Sequence, residues 1–256
     1  GTVAIGSSAL TALTSGANNT AIGYISSASI TSDTSNVSIG YHSSAYLYGG
    51  SNVSVGKGAL KGVTFTEGGG VYNDDPTIQH TADARIIAGL GVSGTGIPDG
   101  AYIDSITSGT EFELSVSTTG GSLSGQTLTF YSRSSGSVAI GTDALTALTF
   151  ASYNTVVGHN AGTAVTTGTL NTLMGHTSGV ALTTGTQNVA IGNRAMLTED
   201  IGNQNVAIGY EAYEQGDSGT NGLCTMVGFQ AGDSVSTGIQ NTGIGASVAF
   251  DIDANN

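Results

Sequence analysis

Two carboxylates, Asp143 and Glu211, each stand two residues after the glycine that closes a recurring five-residue unit. A carboxylate pair is the minimum equipment for acid/base cleavage of a glycosidic bond, provided the two lie about 5 to 9.5 Å apart. Two histidines, His159 and His176, share another repeat position, one residue after the unit glycine. Stacked copies of that position give either a pair of outward-facing imidazoles or, if it faces a three-fold axis, six imidazoles, a donor set suited to a transition metal. Asn73-Asp74-Asp75 carries oxygen donors of the kind calcium takes, but three adjacent residues do not enclose a cation. The single cysteine, Cys224, excludes an internal disulfide and a cysteine zinc cluster, and it reads as a small buried residue. No glycine-rich segment ends in Lys-Ser or Lys-Thr, and the Gly-Gly-x-Gly-x-Asp pattern of calcium-binding β-rolls does not occur.

The elements that must position these residues follow from an internal period. A unit close to Asn-Val-Ala-Ile-Gly ends on Gly6, Gly23, Gly40, Gly56, Gly141, Gly158, Gly175, Gly192, Gly209, Gly228 and Gly245, with spacings of 17, 17, 16, 85, 17, 17, 17, 17, 19 and 17 residues. Within a unit the side chains alternate, so Val189 and Ile191 share one face and Asn188, Ala190 and Gly192 the other, as in a strand. Seventeen residues leave room for two such strands and two turns, with Ser15-Gly16 and Thr184-Gly185 marking a turn. One repeat is then one coil of an all-β parallel β-solenoid (β-roll). Coils stacked at about 4.8 Å form in-register parallel ladders, and eleven make a rod about 50 Å long. On this scale Asp143 and Glu211 lie four coils apart, roughly 19 Å, which is too far for paired-carboxylate chemistry.

Stacking also predicts where the side chains go. Val, Ile and Leu form apolar ladders inside the coil, the Asn of each unit bonds to its own copy above and below, and Gly closes the unit where backbones come close. Leu10, Leu13, Leu145, Leu148, Tyr210 and Tyr213 lie outside the unit and also need burial, which predicts side-by-side association of chains. The spacing of 85 is one period plus a 68-residue insertion. Three segments result: coils over 1–65, an inserted small antiparallel β-domain over 66–135, and coils over 136–256. Glu111 to Val116 and Gln126 to Phe130 alternate polar and apolar residues as half-buried strands do. Insertions in repeat arrays emerge on one face, often a binding face. The candidate receptor contacts are therefore Tyr72, Asn73, Asp74, Asp75 and His80, whose phenol, amide and carboxylate groups suit a neutral saccharide.

Charge narrows the partners. Only 9% of residues are charged, and the net charge of -13 opposes both nucleic acid and anionic lipid. No apolar run reaches the roughly 18 to 20 residues of a membrane span, so membrane insertion is not expected. The chain opens on Gly1-Thr2-Val3-Ala4-Ile5-Gly6, already inside a repeat, as a piece of a longer or processed chain would.

Ser137-Val138-Ala139-Ile140-Gly141, Asn188-Val189-Ala190-Ile191-Gly192 and Asn205-Val206-Ala207-Ile208-Gly209 resemble the head repeats of YadA-like trimeric autotransporter adhesins, although the adhesin repeat is typically 14 residues long. Asn18 to Tyr24 and Asn205 to Ala212, with a Thr-Gly spacer between units, are similar to shaft regions of bacteriophage tail fibres. Val92 to Gly100, followed by Ile103, Ile106 and Phe112, resembles small β-modules of viral structural proteins. These resemblances imply a left-handed coil assembled as a homotrimer. They imply a non-catalytic fibre at the virion surface or outside the cell, without cofactor or bound metal. Its expected partners are other virion tail proteins and a host surface glycan or outer-membrane protein. The alternatives are a bacterial surface trimeric adhesin and a purely structural filament subunit. The fibre family often carries a C-terminal chaperone that leaves after assembly, and the closing run Asp251 to Asn256 agrees with its removal and with truncation alike.

Overall fold

A computed structural model describes residues 1–219, 222–235 and 237–248; the closing run from Asp251 lies outside them. The described residues form eighteen strands and no α-helix. They are β1 (Val3–Ile5), β2 (Thr20–Ile22), β3 (Val37–Ile39), β4 (Leu47–Tyr48), β5 (Val53–Val55), β6 (Thr64–Asn73), β7 (Thr77–Gln79), β8 (Gly91–Ser93) and β9 (Ile103–Ser108). The second half holds β10 (Glu111–Leu114), β11 (Ser122–Arg133), β12 (Val138–Ile140), β13 (Thr155–Val157), β14 (Thr172–Met174), β15 (Val189–Ile191), β16 (Val206–Ile208), β17 (Thr225–Val227) and β18 (Thr242–Ile244). Eleven of them stack as one parallel sheet in the order β1-β2-β3-β5-β12-β13-β14-β15-β16-β17-β18. The register follows the repeat, with Val189 opposite Val206 and Ala190 opposite Ala207. Across the insertion Val53 pairs with Val138 and Val55 with Ile140, so the ladder runs past it without a missing rung. The chain is an all-β parallel solenoid.

Two expectations about the coil are corrected. Each coil contributes one strand of the ladder, not two. Its far side is held without strand geometry, by Thr14, Thr149 and Thr166 hydroxyls donating to the carbonyls of Thr31, Thr166 and Thr183 one coil on, at 3.1, 3.1 and 3.2 Å. The second correction concerns which face is inside. From β2 to β18 the central residue of each ladder strand is buried, while the Val and Ile beside it are half-buried or exposed. The alternation was legible, but not its sign, because a coil this short has room inside for only one residue of each strand.

What fills the interior comes from the turn after the strand. Leu145, Leu148, Met196 and Tyr213 are fully buried and Leu10 nearly so, so these leucines are satisfied within the coil, whereas Leu13 is half-buried and Tyr210 exposed. Size is shared between the strand centre and the residue six places on. Ala139 faces Leu145, Ala190 faces Met196 and Ala207 faces Tyr213, but where the centre is Leu173 or Met226 the later residue is Gly179 or Gly232. A Cβ on Gly179 would come within 2.8 Å of Leu173, and one on Gly232 within 2.6 Å of Met226 Sδ. Close packing of this kind tolerates neither voids nor overlap.

The asparagine ladder forms as expected. Asn154, Asn171 and Asn188 Oδ1 each accept the backbone N–H of the next coil's Asn at 2.9 Å, and all four asparagines of the run are buried. Cys224 occupies the next rung, its N–H donating to Asn205 Oδ1 at 3.0 Å and its thiol to the Gly238 carbonyl at 3.2 Å. This is the small buried role expected of it. The glycine ladder is a backbone contact: Gly192 has φ +139°, and a Cβ there would overlap the carbonyl of Gly209. Two turn positions beyond it are left-handed in coil after coil, occupied by Asp143 and Leu145, Arg194 and Met196, or Glu211 and Tyr213.

Between β5 and β12 the chain leaves the rod and forms most of a second sheet, ordered β4-β11-β6-β7-β10-β9 with β8 also on β11, to which the rod contributes β4. Its pairings are antiparallel except the last, where Ser132 and Arg133 run parallel to Leu47 and Tyr48. β11 therefore begins in the insertion and ends against the rod. The insertion has its own core of Ile78, Val92, Ile103, Phe112, Leu128 and Phe130.

Candidate recognition surfaces

The five residues expected to meet a receptor divide into two places. Tyr72, Asn73 and Asp75 line one shallow hollow with Thr77, Gln79 and Ser122, at the turn from β6 to β7. Asn73, Asp74 and Asp75 are exposed, but Tyr72 is buried and its hydroxyl donates to the Thr95 carbonyl. Asp75 Oδ1 accepts the N–H of Thr77 at 3.1 Å, and Asp74 Oδ1 accepts that of Gly121 at 2.7 Å, so both carboxylates also brace their turn. His80 lies apart, lining a second hollow with Asp83, Ile86, Ile106 and Ser108. Its Nδ1 is 2.6 Å from the Thr81 carbonyl. A carbonyl only accepts, so Nδ1 donates to it, and Nε2 is buried without a partner among the described residues. Beside it Arg85 bonds Asp83 and Glu67, and these hydrogen bonds hold the Asp83 carboxyl well below the usual range.

The rod carries a second surface that periodicity alone did not reveal. Because the strand centres point inward, the residues beside them form an apolar stripe along the ladder, exposed at Ile39, Ile140 and Met174 and half-buried at Ile22, Val55, Ile191, Ile208 and Val227. The residues after the unit glycines add three pairs of stacked rings beside it, separated by Lys57 with Thr142 and by Asn193. Tyr24 lies 5.4 Å from Tyr41, His159 5.4 Å from His176 with planes 6° apart, and Tyr210 5.4 Å from Phe229. The histidines are thus stacked as their spacing requires, and both are exposed. What sequence reading lacked was the sign of the alternation. The interior needs only one residue per strand, and the pairs of rings after glycine were the available signal that the other face looks outward.

The carboxylates make no catalytic pair. Asp143 and Glu211 hold the same left-handed position after β12 and β16, four strands apart and roughly 19 Å at 4.8 Å per strand. Glu211 accepts a hydrogen bond from Gln230 at 2.9 Å, which helps hold its carboxyl below the ordinary value. Glu199, Asp200 and Asp217 bring carboxylate oxygens within 4.8 Å of one another. Glu199, though, is buried and already accepts Gly202 N–H at 2.7 Å, Ser218 N–H at 3.0 Å and Ser218 O–H at 2.7 Å. Those bonds brace the lengthened 19-residue coil. No family model matches the chain, and neither the curated proteins nor the solved structures compared with it give a match.

Proposed function

We propose that the chain is a shaft segment of a virion tail fibre, a rigid non-catalytic arm that assembles as a homotrimer and attaches to a host cell surface. The observation that supports this reading is the apolar stripe on the outside of an otherwise satisfied ladder. A monomer does not need Ile39, Ile140 and Met174 exposed on one line, but copies packed side by side do. Attachment to a surface glycan or outer-membrane protein falls to the insertion, the one part of the fold that departs from the rod.

Light scattering across a range of concentrations tests the assembly. Discrete trimers independent of concentration support the fibre, and species that lengthen with concentration support a filament subunit instead. Binding of the intact chain to host cells, with loss of binding when residues 66–131 are replaced by a short linker, supports attachment through the insertion. Equal binding by the shortened chain overturns it. A fall in size of capsule polysaccharide or lipopolysaccharide on incubation overturns the non-catalytic reading.

A further inference from the structure

Where the coil between β2 and β3 meets the end of β11, the rod and the insertion enclose a cavity of about 160 Å³ lined by Asp33, Tyr48, Ser93, Asp99, Tyr131 and Arg133 among others. Asp33 stands where other coils carry the turn glycine, at the position of Gly16, Gly168, Gly185 and Gly202. Its Oδ2 is buried and has no hydrogen-bond partner among the described residues. A carboxylate oxygen left in that state is costly unless something donates to it. Arg133, which also lines the cavity, lies over the rings of Tyr102 and Phe150, at 4.5 and 5.9 Å, and its guanidinium makes no hydrogen bond or ion pair among the described residues. A strong acceptor and a strong donor thus line one cavity without closing on each other.

The ligand chemistry follows from that mismatch. A simple anion would meet Asp33 and Asp99, and a simple cation would meet Arg133, so neither is matched to the whole lining. A hydroxyl both donates and accepts, and adjacent hydroxyls can bond a carboxylate on one side and a guanidinium on the other. Tyr48 and Tyr131, with ring centroids 3.8 Å apart, supply the aromatic wall. We propose that this cavity binds one neutral sugar residue whose hydroxyls bridge Asp33 and Arg133. Burial pushes the Asp33 carboxyl up from its ordinary value, against the Gly49 N–H and the Arg133 charge that favour ionisation.

The proposal stands apart from the hollow at Tyr72 and from the trimeric fibre, since a sugar site at this junction needs no second chain. Its test is a titration of the intact chain with methyl glycosides of neutral hexoses and N-acetylhexosamines, and with oligosaccharides ending in the same residues, followed by NMR. Signals of Asp33, Gly49, Tyr48 and Arg133 should move and saturate at millimolar ligand. Asp33→Asn should weaken binding by about tenfold, the loss expected for a hydrogen bond to a charged group. That variant removes a charge that burial disfavours, so its melting temperature at neutral pH stays at or above the parent's. Arg133→Gln should weaken binding similarly. Response to the glycosides alone marks a site for free sugars, and response to both marks a site for glycan termini. Silence across the panel, or equal affinity in parent and Asp33→Asn, overturns the site and leaves the light-scattering result on the trimer unaffected.

Discussion

At the scale of single residues, the glycines with positive φ divide by what surrounds them. At Gly192 a methyl group would overlap the next coil's backbone, and φ of +139° is closed to other residues. At Gly100, in the insertion, φ is +78° but nothing lies within 4 Å of an added Cβ. Gly192→Ala should therefore cost about 3 kcal/mol or more, the sum of backbone strain and overpacking, and Gly100→Ala only about 1 to 2 kcal/mol. Denaturant unfolding of both variants checks the difference, and equal costs would mean that the coils do not meet at glycine. This ladder and the asparagine ladder were legible because each rests on one residue type recurring at one position. Asp33 was not legible, since a carboxylate standing for a turn glycine acquires meaning only when Tyr131 and Arg133, a hundred residues later in the chain, close over it.

At the scale of the element, the five-residue unit announced a strand and its register, and the 85-residue gap announced the insertion, because a fixed period counts residues whatever they are. Which face of the strand looks inward was hidden, since alternation carries no sign and the deciding bulk sits six residues downstream. That reciprocity makes a prediction about β14. Leu173→Ala alone should lose about 2 to 5 kcal/mol through the void it leaves. Gly179→Leu alone should lose about 1 to 3 kcal/mol by driving a side chain into Leu173. Together they recreate the pairing of Ala139 with Leu145, at a backbone angle of 54° that Leu145 already adopts at 55°. The double variant should be more stable than the summed single costs by at least about 1 kcal/mol. A double-mutant cycle by thermal unfolding measures this, and simple additivity would show that the two positions do not share one space.

For the whole molecule the question is what covers the stripe of Val and Ile. Ile140 and Met174 are 39% and 40% exposed in the single chain, so charge there barely touches the coil itself. Exposed substitutions of this kind change stability by about 0.5 kcal/mol or less. In a side-by-side trimer the same positions are buried, and an unpaired carboxylate there costs several kcal/mol, enough to take the assembly apart. Ile140→Asp with Met174→Asp should therefore give a monomer that keeps the β circular dichroism of the parent. Leu173→Asp, at the adjacent position that points into the coil, should destroy the coil and the assembly together. If the outward pair leaves the trimer intact, the copies meet elsewhere and the exposed stripe must be covered by a different protein. If it abolishes the β signal as well, the coil depends on its neighbours to fold, and the rod exists only as an assembly.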